Sequence, residues 1–350
     1  LKAKERKPAK FNALEYGSLI HFILEYVFSN YKMEDLFETK DSDIKKIIND
    51  CMQKYVCDKL GGLENKPSRF KYLYLRCSQA ASVLVRRIIN EFKQSSFVPC
   101  GYEAEISKYG DIRPLKIKLS DGSLVEVEGK VDRIDVMNLN ERNYIRVVDY
   151  KTGKKDFKLI DVLYGLNMQM IVYMTAINNN GYKNYKNIVP AGVLYMPAIK
   201  PVVGAELSDD DKKLDSELRK KLCMNGIVLD NVDVIEGMEK EGKSVFIPVG
   251  IKDGKIKKSD SIVSLAQMGI LMRYVEKLIR EMGESLRQGE VCSNPLAVGE
   301  TNSCQWCPYG SVCGFEDEKK IKVAKGYKTS EIYEKMRGEN VNDEQENVDD

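Results

Sequence analysis

The sequence predicts an α/β protein in which a mixed sheet is flanked by helices and preceded by a helical N-terminal part. Apolar residues recur with a period near 3.6 from about residue 11 to 98, as in SQAASVLVRRIINEF. From about residue 101 the period changes to two, in PLKIKL, LVEVEGKVDRIDVM and YIRVVDY, with the turn signals SDGS and NLNER between them. A helical segment at about 159–178 and the strand-like AGVLYMP follow. This order mixes both element types around one sheet.

Five successive segments are expected along the chain. Residues 1–100 form the helical part and residues 101–200 the sheet core. Residues 201–260 are polar, irregular and lysine-rich, and we interpret them as an insertion. Residues 261–316 hold an amphipathic helix and a cysteine segment, and residues 317–350 form a partly disordered tail that ends in ENVNDEQENVDD.

The expected helix runs from about residue 260 to 289. Its apolar residues recur at helical spacing and predict one buried face. That face comprises Ile262, Leu265, Leu271, Val275, Leu278 and Met282.

Composition limits the class of protein. The chain has 350 residues, of which 43% are hydrophobic and 31% charged, as is usual for a soluble globular protein. Its net charge of +2 does not by itself predict nucleic-acid binding. No apolar run approaches the roughly 20 residues that span a bilayer, and no signal peptide is present, so we expect a cytoplasmic protein without a membrane partner.

Two further features concern the extent and class of the chain. It begins at Leu1 rather than at a methionine, and we interpret it as a piece of a longer polypeptide. It contains no G-x-x-x-x-G-K-[ST] motif, so a nucleotide-driven motor is not encoded in it.

The stretch VVDYKTGKK carries the first candidate for chemistry. Asp149 and Lys151 project from the same face of the predicted strand, with Cα atoms roughly 6.6 Å apart. The same triplet pattern recurs by chance in this chain, for example at Asp253, so the triplet alone decides nothing. The preceding strand carries Asp132, which a hairpin brings beside Asp149.

Two converging carboxylates repel each other unless a cation lies between them. Hard oxygen ligands with room for water suit Mg²⁺ or Mn²⁺. A lysine next to that ion can hold a scissile phosphate or orient the attacking water. The alternative interpretation is a solvated polar face on a half-buried hairpin.

Three further motifs make this chain resemble the RecB-like branch of the PD-(D/E)xK nuclease superfamily. The stretch GSLIHFILE looks like the G-x-x-x-H-x-x-L-E signature of that branch, and its His21 is the only histidine in the chain. Gln169 and Tyr173 match the Q-x-x-x-Y signature, and their spacing puts both on one helical face. Taken singly, a helical histidine is often structural, and the second motif is also compatible with simple helix patterning.

The third motif is an acidic residue on the strand before the hairpin. The stretch FVPCGYEAEI offers Glu103 and Glu105 on the same strand face. We prefer Glu103 because the lead-in from Phe97 to Pro99 looks like the one that precedes this acid in the superfamily.

The resemblance implies a restriction-endonuclease-like core and a DNA exonuclease that hydrolyses phosphodiester bonds with Mg²⁺ or Mn²⁺. It implies the following roles: His21, Asp132 and Asp149 as metal ligands, Lys151 as a catalytic residue, Glu103 as the acidic partner, and Gln169 and Tyr173 as residues that contact DNA or brace the site.

A cysteine segment follows the predicted amphipathic helix. Cys304, Cys307 and Cys313 form C-x₂-C-x₅-C, a spacing tight enough for one metal centre to bind all three thiolates. A thioredoxin-like C-x-x-C is one rival, but no βαβ context surrounds it. A structural zinc site is another, and it needs a fourth ligand such as Cys292.

This segment resembles the end of the AddB family, the second subunits of helicase–nucleases that resect double-strand breaks. The resemblance implies a [4Fe–4S] cluster, an AddA-like helicase subunit as partner, DNA as substrate, and a role in repair and recombination. In that family the fourth cluster ligand precedes the G-x-x-x-H helix, whereas the first cysteine here is Cys51, beyond it. We therefore expect the cluster to be absent or incomplete in this chain.

Two alternatives remain at this point. One is a free-standing CRISPR-associated exonuclease, which is compact and lacks an insertion such as 201–260. The other is a non-catalytic DNA-binding module with a structural metal centre. The clustered carboxylates argue against the second alternative, because they would repel phosphate without contributing to binding.

Overall fold

The computed structural model describes residues 13–338 apart from 63, 65, 154–155, 200–210, 241, 300 and 314–320. Of the predicted tail, residues 317–320 and 339–350 lie outside the described residues, whereas 321–338 include a short strand at Lys322–Val323 and a helix at Thr329–Arg337. The chain divides into two compact units, each built from several stretches. The first comprises Leu1–Glu105, Lys130–Asp156 and Lys183–Ile262, and the second comprises Ile106–Gly129, Phe157–Tyr182 and Val263–Asp350. The predicted division into five segments stays a prediction.

Four helices come first and five strands follow them, as the sequence pattern indicates, and helices and strands are mixed along the rest of the described chain. The helices are α1 (Ala13–Asn30), α2 (Met33–Glu38), α3 (Asp41–Leu60), α4 (Ser68–Gln94), α5 (Leu159–Leu163), α6 (Gln169–Asn180), α7 (Asp211–Leu222), α8 (Val232–Met238), α9 (Leu265–Arg287), α10 (Gly310–Cys313) and α11 (Thr329–Arg337), with a 3₁₀ helix at Ser303–Trp306. The strands are β1 (Val98–Ile106), β2 (Leu115–Lys118), β3 (Leu124–Val127), β4 (Gly129–Leu139), β5 (Arg142–Lys151), β6 (Ile188–Pro197), β7 (Asn225–Leu229), β8 (Ile251–Lys252), β9 (Lys255–Ile256), β10 (Ile262–Val263), β11 (Leu296–Val298), β12 (Thr301–Asn302) and β13 (Lys322–Val323).

The helical opening of the chain is confirmed as four helices, α1 to α4. Their apolar stripes are buried, with Leu19, Ile23, Ile48 and Val85 fully shielded from solvent. The helix α3 ends at Gly61, which adopts the left-handed conformation that commonly terminates helices. These helices share one hydrophobic core with the strands of the first unit.

The predicted mixed sheet is a six-stranded sheet in the order β1-β4-β5-β6-β7-β10. Strands β4 and β5 form the expected antiparallel hairpin, β6 runs parallel to β5, and β7 is antiparallel to β6. The hairpin turns at Asn140 and Glu141, which both have positive φ, as a tight two-residue turn requires. In this register Arg133 lies opposite Val148 and Asp135 opposite Arg146.

The irregular conformation expected for residues 201–260 is wrong for their described part. The strand β7 belongs to the central sheet, and α8 places Ile235 and Met238 in the core of the first unit. Polar residues dominate the composition of this stretch, but its few apolar residues are concentrated at buried positions. Its interpretation as an insertion stays a prediction.

A charged network lies within the first unit. The side chains of Glu91, Arg133, Asp135 and Arg146 are all fully buried. Glu91 lies on α4 and accepts hydrogen bonds from Nη2 of both arginines, at 2.6 Å from Arg146 and at 3.1 Å from Arg133. Asp135 Oδ2 accepts from Nε of Arg146 at 2.8 Å and of Arg133 at 3.1 Å. Two carboxylates and two guanidinium groups therefore balance in charge.

The second unit contains the predicted amphipathic helix as α9, which begins with a capping box at Ser264 and Gln267. The predicted buried face is correct for Leu271 and Val275. It is wrong for Leu265 and Met282, which are exposed, and for Ile262, which belongs to a strand. The face that is buried in the structure includes Met268, Leu271, Val275 and Ile279. It is therefore rotated around the helix axis relative to the predicted face.

None of the helices in the described part of the chain combines the length and the apolar character that a bilayer crossing requires.

Candidate metal centre and active site

His21 lies on the less buried side of α1. The neighbouring Ile20 and Ile23 point into the core, so the opposite stripe of Gly17, His21 and Glu25 lines a pocket. The His21 Nε2 atom lies 3.2 Å from the carbonyl oxygen of Tyr150. A carbonyl oxygen can only accept, so Nε2 is the protonated nitrogen in this contact, and Nδ1 is the nitrogen available to bind a cation.

Glu103 reaches the same point from β1. Its Oε1 lies 3.1 Å from His21 Nδ1, and its Oε2 lies 2.9 Å from Lys130 Nζ. The backbone of Glu103 has a φ of 48°, in the left-handed region that residues with a Cβ rarely adopt. This conformation interrupts the alternation of β1, so that Glu103 is half-buried whereas Glu105 is exposed. The two glutamates therefore differ in burial, and their placement on one strand face stays a prediction.

Asp132 completes the group from β4. Its Oδ2 accepts a hydrogen bond from the backbone N–H of Tyr150 at 2.8 Å, and its Oδ1 lies 3.4 Å from His21 Nδ1. The hairpin partner strand thus holds the Asp132 carboxylate in place through Tyr150, which also provides the carbonyl oxygen for His21. One residue of β5 positions two side chains of the site.

His21, Glu103 and Asp132 each offer one ligand atom to a group in which these atoms lie within 4.8 Å of one another. Within the described residues no other set of three histidine, cysteine or acidic side chains is this close. One imidazole nitrogen and two carboxylate oxygens form a donor set that divalent first-row cations and Mg²⁺ accept.

The electrostatics of this group favour a positive charge. Burial lowers the pKa of His21, but the hydrogen bonds and charges of Asp132 and Glu103 outweigh it and raise that pKa to about 10. Burial raises the pKa of Glu103, but its bonds to His21 and Lys130 reverse the effect and hold it below the usual value. The group of His21, Glu103 and Asp132 therefore binds a proton when no metal ion is bound. This attraction for positive charge is expected of a cation site.

Asp149 and Lys151 lie at the end of β5. Lys151 Nζ is 2.5 Å from Asp149 Oδ2. Burial, and then the charge of Asp132, raise the pKa of Asp149 above its usual value, while Lys151 works against this rise. The charge of Asp132 thus affects the pKa of Asp149, as expected of neighbouring carboxylates. Asp149 is nevertheless not a member of the group whose ligand atoms lie within 4.8 Å.

A pocket of about 580 Å³ opens over the group. Its size is within the range of roughly 300–1,000 Å³ that is typical of ligand pockets. The wall is formed by α1, by Tyr55 of α3, by β1 and β4, and by the turn after β5 at Thr152 and Gly153. Lys151 and Lys130 both line it, so it is polar and carries two ammonium groups beside the acidic cluster.

Lys130 was missed by sequence reasoning. It lies two residues before Asp132, on the same face of β4, and pairs with Glu103. The period-two pattern of GKVDRID was a signal for this placement, but lysines are so common in the chain that the pattern did not single it out.

Gln169 and Tyr173 lie on α6, in the second unit. Gln169 Nε2 donates to Tyr173 Oη at 2.9 Å, so the two side chains share one helical face as predicted. The ring of Tyr173 also packs against Gly129, where a Cβ atom would lie 2.7 Å from the ring carbon Cε1. The role of this pair toward DNA stays a prediction.

The cysteine segment is exposed in the described part of the chain. Cys292, Cys304, Cys307 and Cys313 are free thiols at the surface. Cys313 Sγ lies 3.1 Å from Ser293 Oγ. The described residues do not bring Cys304, Cys307 and Cys313 together as a group of metal ligands, and the iron–sulfur cluster stays a prediction.

Comparison with known proteins agrees with this geometry. Three relatives, each named as the B-type subunit of an ATP-dependent helicase/deoxyribonuclease, come from Thermoanaerobacter sp. (strain X514), Caldanaerobacter subterraneus subsp. tengcongensis and Clostridioides difficile (strain 630). They are 35%, 35% and 32% identical to this chain over 100%, 90% and 97% of its length. The chain spans only 31%, 28% and 30% of these relatives. The family model of the PD-(D/E)XK nuclease superfamily matches residues 1–314, and the chain belongs to that superfamily.

Proposed function

We propose that this chain is a metal-dependent deoxyribonuclease domain that hydrolyses phosphodiester bonds. The observation that carries the proposal is the convergence of His21, Glu103 and Asp132, whose ligand atoms lie within 4.8 Å of one another. His21 and Glu103 line the pocket, and Asp149 and Lys151 form a pair at the end of β5. Acidic side chains that merely face solvent would not be buried together, and a site that only binds DNA would gain nothing from negative charge next to the phosphates.

Mg²⁺ or Mn²⁺ fits the donor set of this pocket. His21, Glu103 and Asp132 would hold the ion, with Asp149 as a further ligand on the neighbouring strand. When bound, such an ion neutralises charge on the phosphate and lowers the pKa of a bound water.

The chain's own residues supply the rest of the chemistry. The Tyr150 carbonyl oxygen fixes the tautomer and the orientation of His21, and the Tyr150 N–H fixes Asp132. The Lys151 ammonium is the cation that contacts a non-bridging oxygen of the scissile phosphate and stabilises the charge that develops there. Lys130 balances Glu103, so that the acidic group does not repel the incoming strand.

The full-length context is also a proposal. The relatives are named as subunits of an ATP-dependent helicase/deoxyribonuclease. We infer that this chain is the nuclease part of such a subunit, that it works with an AddA-like helicase subunit on DNA in the cytoplasm, and that it takes part in double-strand-break repair and recombination. In that setting Cys304, Cys307 and Cys313 would bind a [4Fe–4S] cluster together with a fourth ligand.

Cleavage of end-labelled single-stranded DNA tests the proposed activity. We expect degradation with Mg²⁺ or Mn²⁺ and none with EDTA. Asp132→Asn or Lys151→Ala should reduce the rate by at least about 100-fold, because each removes a charge aimed at the ion or at the phosphate.

Asp253→Asn is the matched control for Asp132→Asn. It alters a chance Asp-x-Lys triplet in the β8–β9 turn, where Asp253 has a φ of 53° that asparagine tolerates. The control should cut normally. Full cleavage by the Asp132 and Lys151 variants would show that the reaction uses another site.

A further inference from the structure

We propose that Phe22 and Tyr55 form a stacking platform for one unpaired nucleobase beside the metal centre, and that this platform makes the pocket select single strands. The inference rests on the proposed nuclease function and assigns the residues that would recognise the base. Phe22 fills an unspecified position of the G-x-x-x-H-x-x-L-E signature, and Tyr55 lies outside the motifs that mark the superfamily in this sequence.

The two rings lie in the wall of the pocket that holds His21 and Lys151. Phe22 follows His21 on α1, and Tyr55 comes from α3. The ring centroids are 5.0 Å apart with planes tilted by 55°. The two rings are tilted and do not form a parallel stack with each other.

Phe22 and Tyr55 are partly buried, since they pack against the hydrophobic core and also line the pocket. The next two residues of α1, Ile23 and Leu24, are fully buried, whereas Phe22 and Tyr55 keep part of their surface open in a polar pocket. Aromatic surface that remains open in a pocket wall is available for contact with a ligand. A nucleobase has an apolar face on each side and covers such a surface well.

Positive charge accompanies the platform. The ring of Tyr26 lies parallel to that of Phe22 within 25°, at a centroid distance of 6.3 Å, and Lys54 Nζ is 5.6 Å from the Tyr26 centroid. Lys130 and Lys151 line the pocket itself. Aromatic rings next to ammonium groups are the combination by which proteins bind single strands, with the rings on the bases and the cations on the backbone.

The platform distinguishes strand types for a simple reason. In a duplex both faces of each base are covered by neighbouring pairs, so a protein ring can stack on a base only after it is unstacked. An unpaired base has a free face. A stacked base contributes roughly a tenfold gain in affinity or more.

Equilibrium binding in EDTA tests the platform without cleavage. Fluorescence anisotropy of a labelled oligothymidylate and of a labelled duplex would be measured with the full chain. Phe22→Leu and Tyr55→Leu should weaken single-strand binding by about 10-fold and leave duplex binding unchanged. Tyr72→Leu is the matched control, since Tyr72 is 59% exposed on α4 and does not line the pocket.

An abasic scan of the oligonucleotide makes the test independent of the variants. One abasic position should weaken binding to the unaltered chain by about 10-fold and should have no further effect with Phe22→Leu. The absence of such a position, or equal loss of single-strand and duplex binding in both variants, would overturn the proposal. If the leucine variants fail to fold, two other measurements test the platform. One is the abasic scan on the unaltered chain, and the other is single-strand binding by the ring-conserving variants Phe22→Tyr and Tyr55→Phe, which should retain it.

The same data separate this inference from the proposed function. A chain that shows the base-dependent binding in EDTA but does not cleave with Mg²⁺ would contradict the nuclease proposal and leave the platform intact. A chain that cleaves with Mg²⁺ but binds abasic and intact strands equally would contradict the platform alone.

Discussion

Replacing Glu91 with alanine removes the carboxylate that joins two buried arginines. Glu91 accepts from Arg133 Nη2 at 3.1 and 3.2 Å and from Arg146 Nη2 at 2.6 Å. All three side chains are fully buried. After the substitution, Asp135 alone balances two guanidinium groups, so one positive charge is left buried without a partner.

The magnitude follows from that imbalance. Removing one partner of a buried ion pair costs about 3–5 kcal/mol, because the remaining charge keeps its desolvation penalty. Arginine cannot escape the penalty by losing its proton, because its guanidinium group stays protonated in proteins. In the unaltered chain burial lowers the pKa of Arg133, but Asp135 and Glu91 more than offset this and hold it well above its usual range. We expect Glu91→Ala to lower the free energy of unfolding by about 4 kcal/mol, a large part of the roughly 5–15 kcal/mol typical of a domain.

Urea denaturation followed by far-UV circular dichroism measures this loss. Glu38→Ala is the control, because Glu38 is exposed on α2 and its loss should change the free energy of unfolding by no more than about 0.5 kcal/mol. A loss below about 1 kcal/mol for Glu91→Ala would refute the reasoning and would mean that water solvates the arginines.

The pH dependence of stability provides a second test of the same buried network. Burial raises the pKa of Glu91, but Arg133 and Arg146 reverse this and bring it below its usual value. A lowered folded-state pKa means that the stabilisation is fully present above the unfolded-state pKa, about 4.3, and is lost as the pH falls through the folded-state value. The stability difference between the unaltered chain and Glu91→Ala should therefore shrink only below about pH 4.

Two further predictions concern packing and thiol reactivity. Gly129→Ala should lower the free energy of unfolding by about 1–3 kcal/mol in thermal or urea melts, since its Cβ would lie 2.7 Å from Tyr173 Cε1. Gly326→Ala is the control, because a Cβ there meets nothing within 4 Å and should cause no steric loss of stability. Equal melts for the two variants would contradict the close contact. Burial raises the pKa of Cys77 to about 12, so at about pH 8 this thiol should react with a maleimide far more slowly than the exposed Cys57, as peptide mass spectrometry would show. Because the thiolate is the reactive form, the rate at Cys77 should rise as the pH increases toward 12, and modification as fast as that of Cys57 near neutral pH would contradict the assignment.

The elements of the fold were predictable where periodicity was strong. The helical opening, the β4–β5 hairpin and the mixed sheet all follow from apolar spacing and turn residues. The described part of residues 201–260 was missed, because β7 is only five residues long and its surroundings are rich in lysine. A short buried strand next to charged loops gives almost no periodic signal.

The candidate site was predictable in its membership but not in its geometry. The motifs pointed to His21 and Asp132, the lead-in from Phe97 to Pro99 pointed to Glu103, and these three side chains meet. Asp149, which was expected as a metal ligand as well, lies outside this group. The sequence could not show that Glu103 adopts a left-handed backbone, which is a rare local conformation that tertiary contacts must stabilise. Nor could it show that Lys130 reaches Glu103, since this contact joins two strands that are far apart in the chain.

The buried network was invisible for a more general reason. Charged residues on a strand are normally interpreted as exposed, and no sequence pattern here singled out Arg133 and Asp135 as buried. Their burial depends on Arg146, which lies on the next strand, and on Glu91 in a helix, so that only the assembled fold balances the charges. Single-sequence patterns carry no information on such a distant pairing.

The network and the metal centre are linked through the register of the β4–β5 hairpin. Asp132 and Arg133 are adjacent, so their side chains project from opposite faces of the sheet. Arg133 lies opposite Val148 in the hairpin, and the Asp132 carboxylate accepts a hydrogen bond from the backbone N–H of Tyr150 on the same partner strand. A slip of one residue in β4 would exchange the faces and bring Arg133 toward the metal ligands while burying Asp132. In that arrangement the salt bridges to Glu91 would be lost, at several kcal/mol. The buried charges thus penalise the wrong register far more than apolar residues would, and they fix the register in which the carboxylates of the candidate site converge.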